Sequence, residues 1–357
     1  MNGVAAGAVQ TVLGPARPEA LGVTLMHEHV LASMASHWSE PSAPEDRAIC
    51  RQPLTLERLW RARANPNLLL DNCELLDQEL AVRELDLFKG AGGGAVLEMS
   101  TIGLARDPRG LAEISRRTGL HIVCGAGYYV AASHPPGTDR RPADDLAGEM
   151  IAEIRVGIAG TGVRAGVIGE IGVSEPMAPI ERTMLRAAAR AQAATGVLLV
   201  IHPGPGKGSI LAVADLLDAE GVAPSRVVLG HADERLRGDR EALLALLRRG
   251  FTLGFDTFGR DLFMPWRRRQ HPSDAQRIEA LAPLVQAGFV CQVVLSQDLA
   301  WKHELTAFGG YGYAHVLRNI VPRLRDAGLT AEDVDEMLIG NPRRLLPLPP
   351  DSAGATP

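Results

Sequence analysis

Two histidines separated by one residue stand at the end of an apolar run, GVTLMHEH, as His27 and His29. In an extended strand, alternation turns both imidazoles to the same side, the arrangement that two ligands of one metal ion require. Four further residues join them. Glu170 ends AGVIGEIG, while His202, His231 and Asp298 lie at the ends of VLLVIHPG, RVVLGHAD and VCQVVLSQD. Four imidazoles and two carboxylates gathered at one buried rim would cost several kcal/mol apiece unless a cation joined them, so a metal site is expected. Six donors exceed the four positions of one tetrahedral zinc, and imidazole with carboxylate suits zinc, manganese, cobalt or iron. The expected cofactors are therefore two divalent metal ions, zinc first. Such a centre keeps net positive charge and brings the pKa of bound water from about 15.7 to about 7.

The elements that must position these groups are legible as eight Val- and Ile-rich runs, at residues 22–29, 94–100, 121–127, 165–172, 197–204, 226–233, 251–259 and 290–298. Helical patterns lie between them, at residues 75–89, 143–158, 180–195, 210–219, 240–249 and 274–287. Nearly all-apolar strands alternating with helices require a parallel sheet covered on both faces. The fold class expected is α/β, a (β/α)8 TIM barrel forming a single domain over residues 22–346, with its active site at the C-terminal rim of the strands. An open doubly wound sheet would usually carry a glycine-rich phosphate loop after its first strand, where this chain has HEH. Residues 1–21 read as an N-terminal extension capping the barrel, and residues 347–357 as a disordered tail. Residues 31–72, with Pro41, Pro44, Pro53 and Pro66, form a long loop insertion after the first strand, either a lid or a packing insert.

Composition narrows the partners. Lys and Arg number 37 against 42 Asp and Glu, a net charge of -5, and only Lys89, Lys207 and Lys302 are lysines, so no basic face for nucleic acid is expected. No stretch reaches the roughly 18 apolar residues that span a membrane, and no basic region precedes an apolar run at the N-terminus. A cytoplasmic protein acting on a small-molecule substrate follows, with a homodimer left open. The four cysteines have no CxxC spacing, which argues against a zinc knuckle or a disulfide framework.

Candidate substrate contacts are fewer. All four tyrosines fall in two glycine-rich stretches, Tyr128 and Tyr129 in GAGYY and Tyr311 and Tyr313 in GGYGYAH. The first pair is the better placed to stack on a substrate or donate to its carbonyl. Glu98, alone among apolar neighbours, needs a partner and reads as a support for a ligand histidine or as a substrate contact. Lys207 and Arg260 follow the fifth and seventh strands and could meet an anionic group.

The stretches LGVTLMHEH, AGVIGEIGVSEP, IHPG, VVLGHAD, SQDLAWKH, GGYGYAHVLRNIVPRLR and NPRRLL occur in an order that resembles the phosphotriesterase-related branch of the amidohydrolase superfamily, over nearly the whole chain. The resemblance implies that His27, His29 and Asp298 hold the more buried metal, His202 and His231 the more exposed one, and that Glu170 bridges both. Phosphotriesterases proper use a carboxylated lysine as the bridge and a histidine relay on strand seven, where this chain offers Glu170 and Asp256. Both departures disfavour triester chemistry. The expected activity is a binuclear metal-dependent hydrolase in which a metal-bridging hydroxide cleaves a carboxylic ester, lactone or amide bond, with Asp298 as catalytic base. The alternatives are a phosphotriesterase acting on organophosphate triesters and a catalytically silent metal- or ligand-binding module. The last would predict a missing ligand or base, and none is missing.

Overall fold

Eight segments rich in β-branched and apolar residues form parallel strands in the computed structural model, which describes residues 7–235, 239–265 and 268–348. They are β1 (Val23–Glu28), β2 (Gly93–Glu98), β3 (His121–Ala126), β4 (Val167–Gly172), β5 (Leu199–His202), β6 (Val227–Leu229), β7 (Thr252–Phe255) and β8 (Val293–Leu295). Each pairs with the next in the chain. The Asp298 N–H donates to His27 O at 3.1 Å across the β8–β1 seam, so the sheet nearly closes. A helix follows every strand: α1 (Gln78–Gly90), α2 (Pro108–Thr118), α3 (Ala143–Arg155), α4 (Pro179–Thr195), α5 (Lys207–Ala219), α6 (Arg240–Arg248), α7 (Asp274–Leu284) and α8 (Val321–Asp326). The architecture is the (β/α)8 barrel, and the expected helices start and stop within about one turn of the observed ones.

Two apolar populations explain why the strands read as continuous hydrophobic runs. Met26, Leu97, Val123, Val167, Val200, Val228 and Val294 pack together inside the barrel. Their alternates, including Leu25, Val96, Ile122, Ile168, Ile201, Leu229, Leu253 and Leu295, face the helices and meet Leu85, Leu111, Leu146 and Leu185. Full burial of each such side chain is worth about 1.5–3 kcal/mol. Local signals set the helix ends. The Asp77 carboxylate accepts the Glu79 and Leu80 N–H groups at the start of α1, and Gly119, left-handed at φ 68°, ends α2 as an L-residue could not without strain.

At the N-terminal ends of the strands, Val9–Thr11 and Gly14–Ala16 form a hairpin, and the Val12 N–H donates to Ile122 O at 2.8 Å. Gly7 and Ala8 exchange backbone bonds with Leu348 (3.0 and 2.9 Å). The rest of the expected tail, residues 349–357, lies outside the described residues, as do residues 1–6. Between β1 and α1, Ala32–Ser33 pairs antiparallel with Glu74–Leu75, enclosing two short helices and a cluster of Leu54, Leu59, Ala62, Leu68 and Leu69. Trp301 Nε1 donates to Asn67 Oδ1 (3.0 Å) and the His303 N–H to Asn72 Oδ1 (2.9 Å), fastening this segment to the loop after β8. Among the described residues no helix is long and apolar enough to cross a membrane.

Candidate metal centre

The end of β1 departs from simple alternation. Its pairing with β2 shifts register between Leu25 and Glu28, so Met26 joins the interior cluster while His27, next in sequence, and His29 both face the rim. Glu170, near the end of β4, stands at their side. One Glu170 oxygen, Oε1, lies 3.3 Å from His29 Nε2; the other, Oε2, lies 3.4 Å from His27 Nε2, 3.0 Å from His202 Nδ1 and 3.8 Å from His231 Nε2. Asp298 Oδ1 stands 3.2 Å from His29 Nε2 and 3.7 Å from His27 Nε2. His231 Nε2 and His202 Nδ1 are 2.8 Å apart. The fold thus brings all six predicted ligands to one place, with Glu170 between them.

These residues fit metal ions. Ligand atoms of His27, His29 and Asp298, and of His27, Glu170 and His231, lie within 4.8 Å of one another, all buried. His27 is buried, its Nδ1 faces Asp256 Oδ2 at 3.1 Å, and its Nε2, toward Glu170 and Asp298, makes no hydrogen bond. A buried, unpartnered imidazole nitrogen facing two carboxylates is costly by itself and suited to coordination. The electrostatics agree that positive charge is wanted here. Burial would lower the imidazole of His29, but the Asp298 and Glu170 carboxylates override it and raise it to about 9. Burial likewise opposes His231, which Asp256, Glu170 and Asp298 raise to about 9. His202 goes the other way, to about 3, because burial and the neighbouring His231 charge outweigh Glu170. The Glu170 and Asp298 carboxyls resist burial and sit well below the usual range, Glu170 through His27 and His202, Asp298 through Arg260 and His29.

Sequence reasoning gave Asp256 too small a part. Its Oδ1 accepts the His231 N–H (2.8 Å) and faces His231 Nδ1 (2.9 Å), while Oδ2 faces His27 Nδ1 at 3.1 Å. One carboxylate thereby orients two ligand rings, and both keep their Nε2 atoms toward Glu170. Glycine at 254 makes room: a Cβ there would collide with Asp256 Oδ2. A lone acid directly after the apolar β7 was the available signal. The backbone at His231 (φ 56°) and Asp298 (φ 52°) is left-handed, a conformation costing about 1–3 kcal/mol each and typical of functional sites.

The tentative substrate contacts separate. Tyr129 lines the pocket above the cluster, its hydroxyl 3.4 Å from His202 Nε2, together with Met34, His37, Arg235, Arg260, Met264 and Trp301. Tyr128 does not reach it. Adjacent residues in extended chain point oppositely, and Tyr128 turns outward to donate to Glu149 Oε2 (3.0 Å) and accept from Arg141 Nη1 (2.7 Å). Glu98 is also outside the pocket, since Leu97 and Met99 take the inward positions. It accepts the Val30 (3.3 Å) and Ser100 (3.2 Å) N–H groups, and burial pushes its carboxyl up to about 7. Ser100 in turn bonds His29 Nδ1 at 3.0 Å, so Glu98 acts on the loop that carries the histidine. Arg260 borders the pocket, but its nitrogens bind Asp298 Oδ2 (2.6 Å) and Glu304 Oε1 (2.9 Å), and the guanidinium lies 4.8 Å from the Trp301 ring centre. Lys207 begins α5, and its side chain lies outside the described residues. Tyr311 is exposed and stacks on His315, whereas Tyr313 is buried and donates to His29 O at 2.6 Å.

A (β/α)8 barrel with four imidazoles and two carboxylates converging at the C-terminal rim of its strands defines the class of metal-dependent hydrolases. The sequence profile described as the phosphotriesterase family matches residues 7–346, and the chain belongs to that family. It is 40% identical over 343 residues to the N-acetyltaurine hydrolase of Tetraodon nigroviridis, covering 95% of this chain and 98% of that one. The phosphotriesterase-related protein of Nematostella vectensis is 36% identical over 345 residues, with the same shares covered. Among solved structures, a resiniferatoxin-binding protein from Rhodobacter sphaeroides superposes with a TM-score of 0.93 at 38% identity, covering 97% of this chain and 96% of that one. The phosphotriesterase homology protein from Escherichia coli, complexed with phosphate in its active site, gives 0.76 at 30% identity, covering 92% and 99%.

Proposed function

We propose that this hydrolase is binuclear and cleaves a carboxylic acyl bond, with the amide bond of an N-acyl amino compound as its substrate. The convergence of four imidazoles on Glu170, with Asp298 beside two of them, carries this reading, and end-to-end similarity to proteins named N-acetyltaurine hydrolase supports the amide among the ester, lactone and amide options. His27, His29 and Asp298 would hold one ion and His202 and His231 the other, with Glu170 between them; zinc suits the donor set best, and manganese, cobalt or iron could replace it. Bound there, two such ions supply Lewis acidity and lower the pKa of water toward neutrality.

The chain's own groups do the rest. Asp256 holds the His27 and His231 rings in register. Arg260 grips Asp298 Oδ2, leaving Oδ1 on the side of the two β1 histidines. Asp298 takes a proton from the attacking water and returns it to the leaving nitrogen, so that one water is consumed and a carboxylic acid and an amine depart. The Tyr129 hydroxyl, beside His202, is placed to donate to the substrate carbonyl. Of the two arginines bordering the pocket, Arg260 is engaged by Asp298 and Glu304, and Arg235 is the one placed to meet an anionic substrate.

The test is kcat/KM for protein loaded with zinc or manganese on N-acetyltaurine and other N-acyl amino compounds, on lactones and esters, and on an aryl dialkyl phosphate. A preference for carbonyl substrates of about a hundredfold, or about 2.7 kcal/mol of transition-state discrimination, is expected. A triester favoured by that margin would replace this reading with the phosphotriesterase one. No turnover of any substrate with two ions bound would make the chain a silent module.

A further inference from the structure

Three buried arginines border the rim, and they differ in how many of their donors are used. A guanidinium has five N–H groups. Arg277 spends its nitrogens on Asp233 Oδ2 (2.8 Å), Thr257 Oγ1 (2.8 Å), Asp274 Oδ1 (3.4 Å) and Arg260 O (2.9 Å). Arg260 spends its own on Asp298 and Glu304. The guanidinium of Arg235, a residue equally buried at 3% exposure, makes one hydrogen bond among the described residues, from Nε to Pro203 O at 3.3 Å. Its Nη1 lies 2.5 Å from Glu234 Oε1, which balances the charge, yet lacks the alignment of a hydrogen bond. A buried guanidinium left so incomplete is costly unless an acceptor arrives.

The position says where that acceptor would come from. Arg235 ends the short helix Ala232–Arg235, and its N–H donates to the carbonyl of His231 at 2.8 Å. Pro203, the acceptor of its Nε, directly follows His202. The guanidinium is therefore held by both loops that carry the second pair of histidines, and it lines the same pocket as His202, His231 and Tyr129. Its surroundings are Glu234, the backbone-bound Arg269 and a His271 that burial keeps neutral, while Asp298, the other acid lining the pocket, is held by Arg260.

We propose that Arg235 is the anchor for an anionic group at the amine end of the substrate, a sulfonate or a carboxylate one or two carbons from the scissile nitrogen. This rests on the amide-hydrolase reading and narrows it to N-acyl amino acids and N-acyl aminosulfonates. With Nε on Pro203 O and Nη1 beside Glu234, the two N–H groups of Nη2 are the donors left to meet an oxygen of either group, and the anchor would set the acyl carbonyl over the metal cluster. Arg235 is then a specificity-determining residue that touches substrate, with no part in the proton transfer.

The test compares N-acetyltaurine with N-acetylethanolamine, in which a hydroxyl replaces the sulfonate, on the metal-loaded enzyme. The wild type is expected to favour the anionic substrate about a hundredfold or more in kcat/KM, the scale of leaving one buried charged donor unmet. In Arg235→Met that ratio should collapse toward unity, chiefly through KM, and Arg235→Lys should restore part of it. Propane-1-sulfonate binding to the loaded wild type, followed by calorimetry against 1-propanol, reads the same contact without turnover or a variant. A saturable sulfonate isotherm with none for the alcohol is expected. An equal preference in the wild type, a ratio that survives Arg235→Met, or absence of sulfonate binding would each overturn the proposal. If neither amide is hydrolysed with two ions bound, the amide reading fails, while calorimetry still decides whether the anion site exists.

Discussion

Two buried polar networks share the C-terminal rim of this barrel, and one satisfies the donors of its central cation while the other leaves a ring nitrogen unmet. In the first, Arg277 bridges Asp233, Thr257, Asp274 and the Arg260 carbonyl, and every nitrogen of the arginine has an acceptor, with Asp233 Oδ1 the one carboxylate oxygen of the pair left without a hydrogen bond. The second joins His27, His29, His202 and His231 to Glu170, Asp256 and Asp298, and it leaves His27 Nε2 without a hydrogen bond. Both draw on the loops after β6 and β7, Asp233 and Thr257 in the first and His231 and Asp256 in the second. A network that saturates its own donors holds loops together. One that leaves ligand-type atoms facing each other at 3 to 4 Å is built for something from outside, and its cost is carried by the packing around it.

Substitutions should separate the two. The largest effect is expected from Asp298→Asn, which keeps the shape of the open network and removes the base; kcat should fall about 10²–10⁴-fold with little change in thermal midpoint. An unchanged rate would take Asp298 out of the proton transfer. Arg277→Met, in the closed network, should reverse the pattern. Stranding Asp233 is expected to destabilise the fold by about 3–5 kcal/mol in urea titrations, with metal content per folded chain retained. Asp256→Asn sits between them. By loosening one histidine of each pair it should weaken metal binding about 10–100-fold, read by chelator competition, with a smaller loss of stability.

The smallest effect is a pH dependence confined to the open network. His29 and His231 stand at about 9 in the fold against about 6.5 when unfolded. Their protonation therefore stabilises the metal-free chain fully below about pH 6.5, and that contribution is lost as pH rises through about 9. The melting midpoint of metal-free protein should fall across that window. Metal-loaded protein should show no such fall, since ions bind unprotonated imidazoles. Parallel curves for the two forms would mean that these histidines do not titrate in the metal-free fold.

Much of the open network was legible in the sequence because each member sits at a fixed place, the end of an apolar strand, and a barrel brings such ends together. Glu170, His202, His231 and Asp298 needed no more than that. What was missed depended on packing between loops. Arg235, a turn beyond a strand, reads as a solvated charge until the loops after β5 and β6 enclose it. Asp256 was visible as an acid directly after β7, but its contact with both His27 and His231 appears only when β1 closes beside β8. The pair Tyr128 and Tyr129 carried its own answer. Neighbours in extended chain face opposite ways, so only one could line the pocket, and the same parity turns Glu98 away from it.

The most direct measurement is the metal content of protein reconstituted with zinc, for the wild type and for Glu170→Ala, by elemental analysis after dialysis. Two ions per chain in the wild type, falling below two in Glu170→Ala as the shared carboxylate is lost, are predicted. One ion per wild-type chain, or two tightly held ions in Glu170→Ala, would contradict the account of Glu170 as the link between two metal positions.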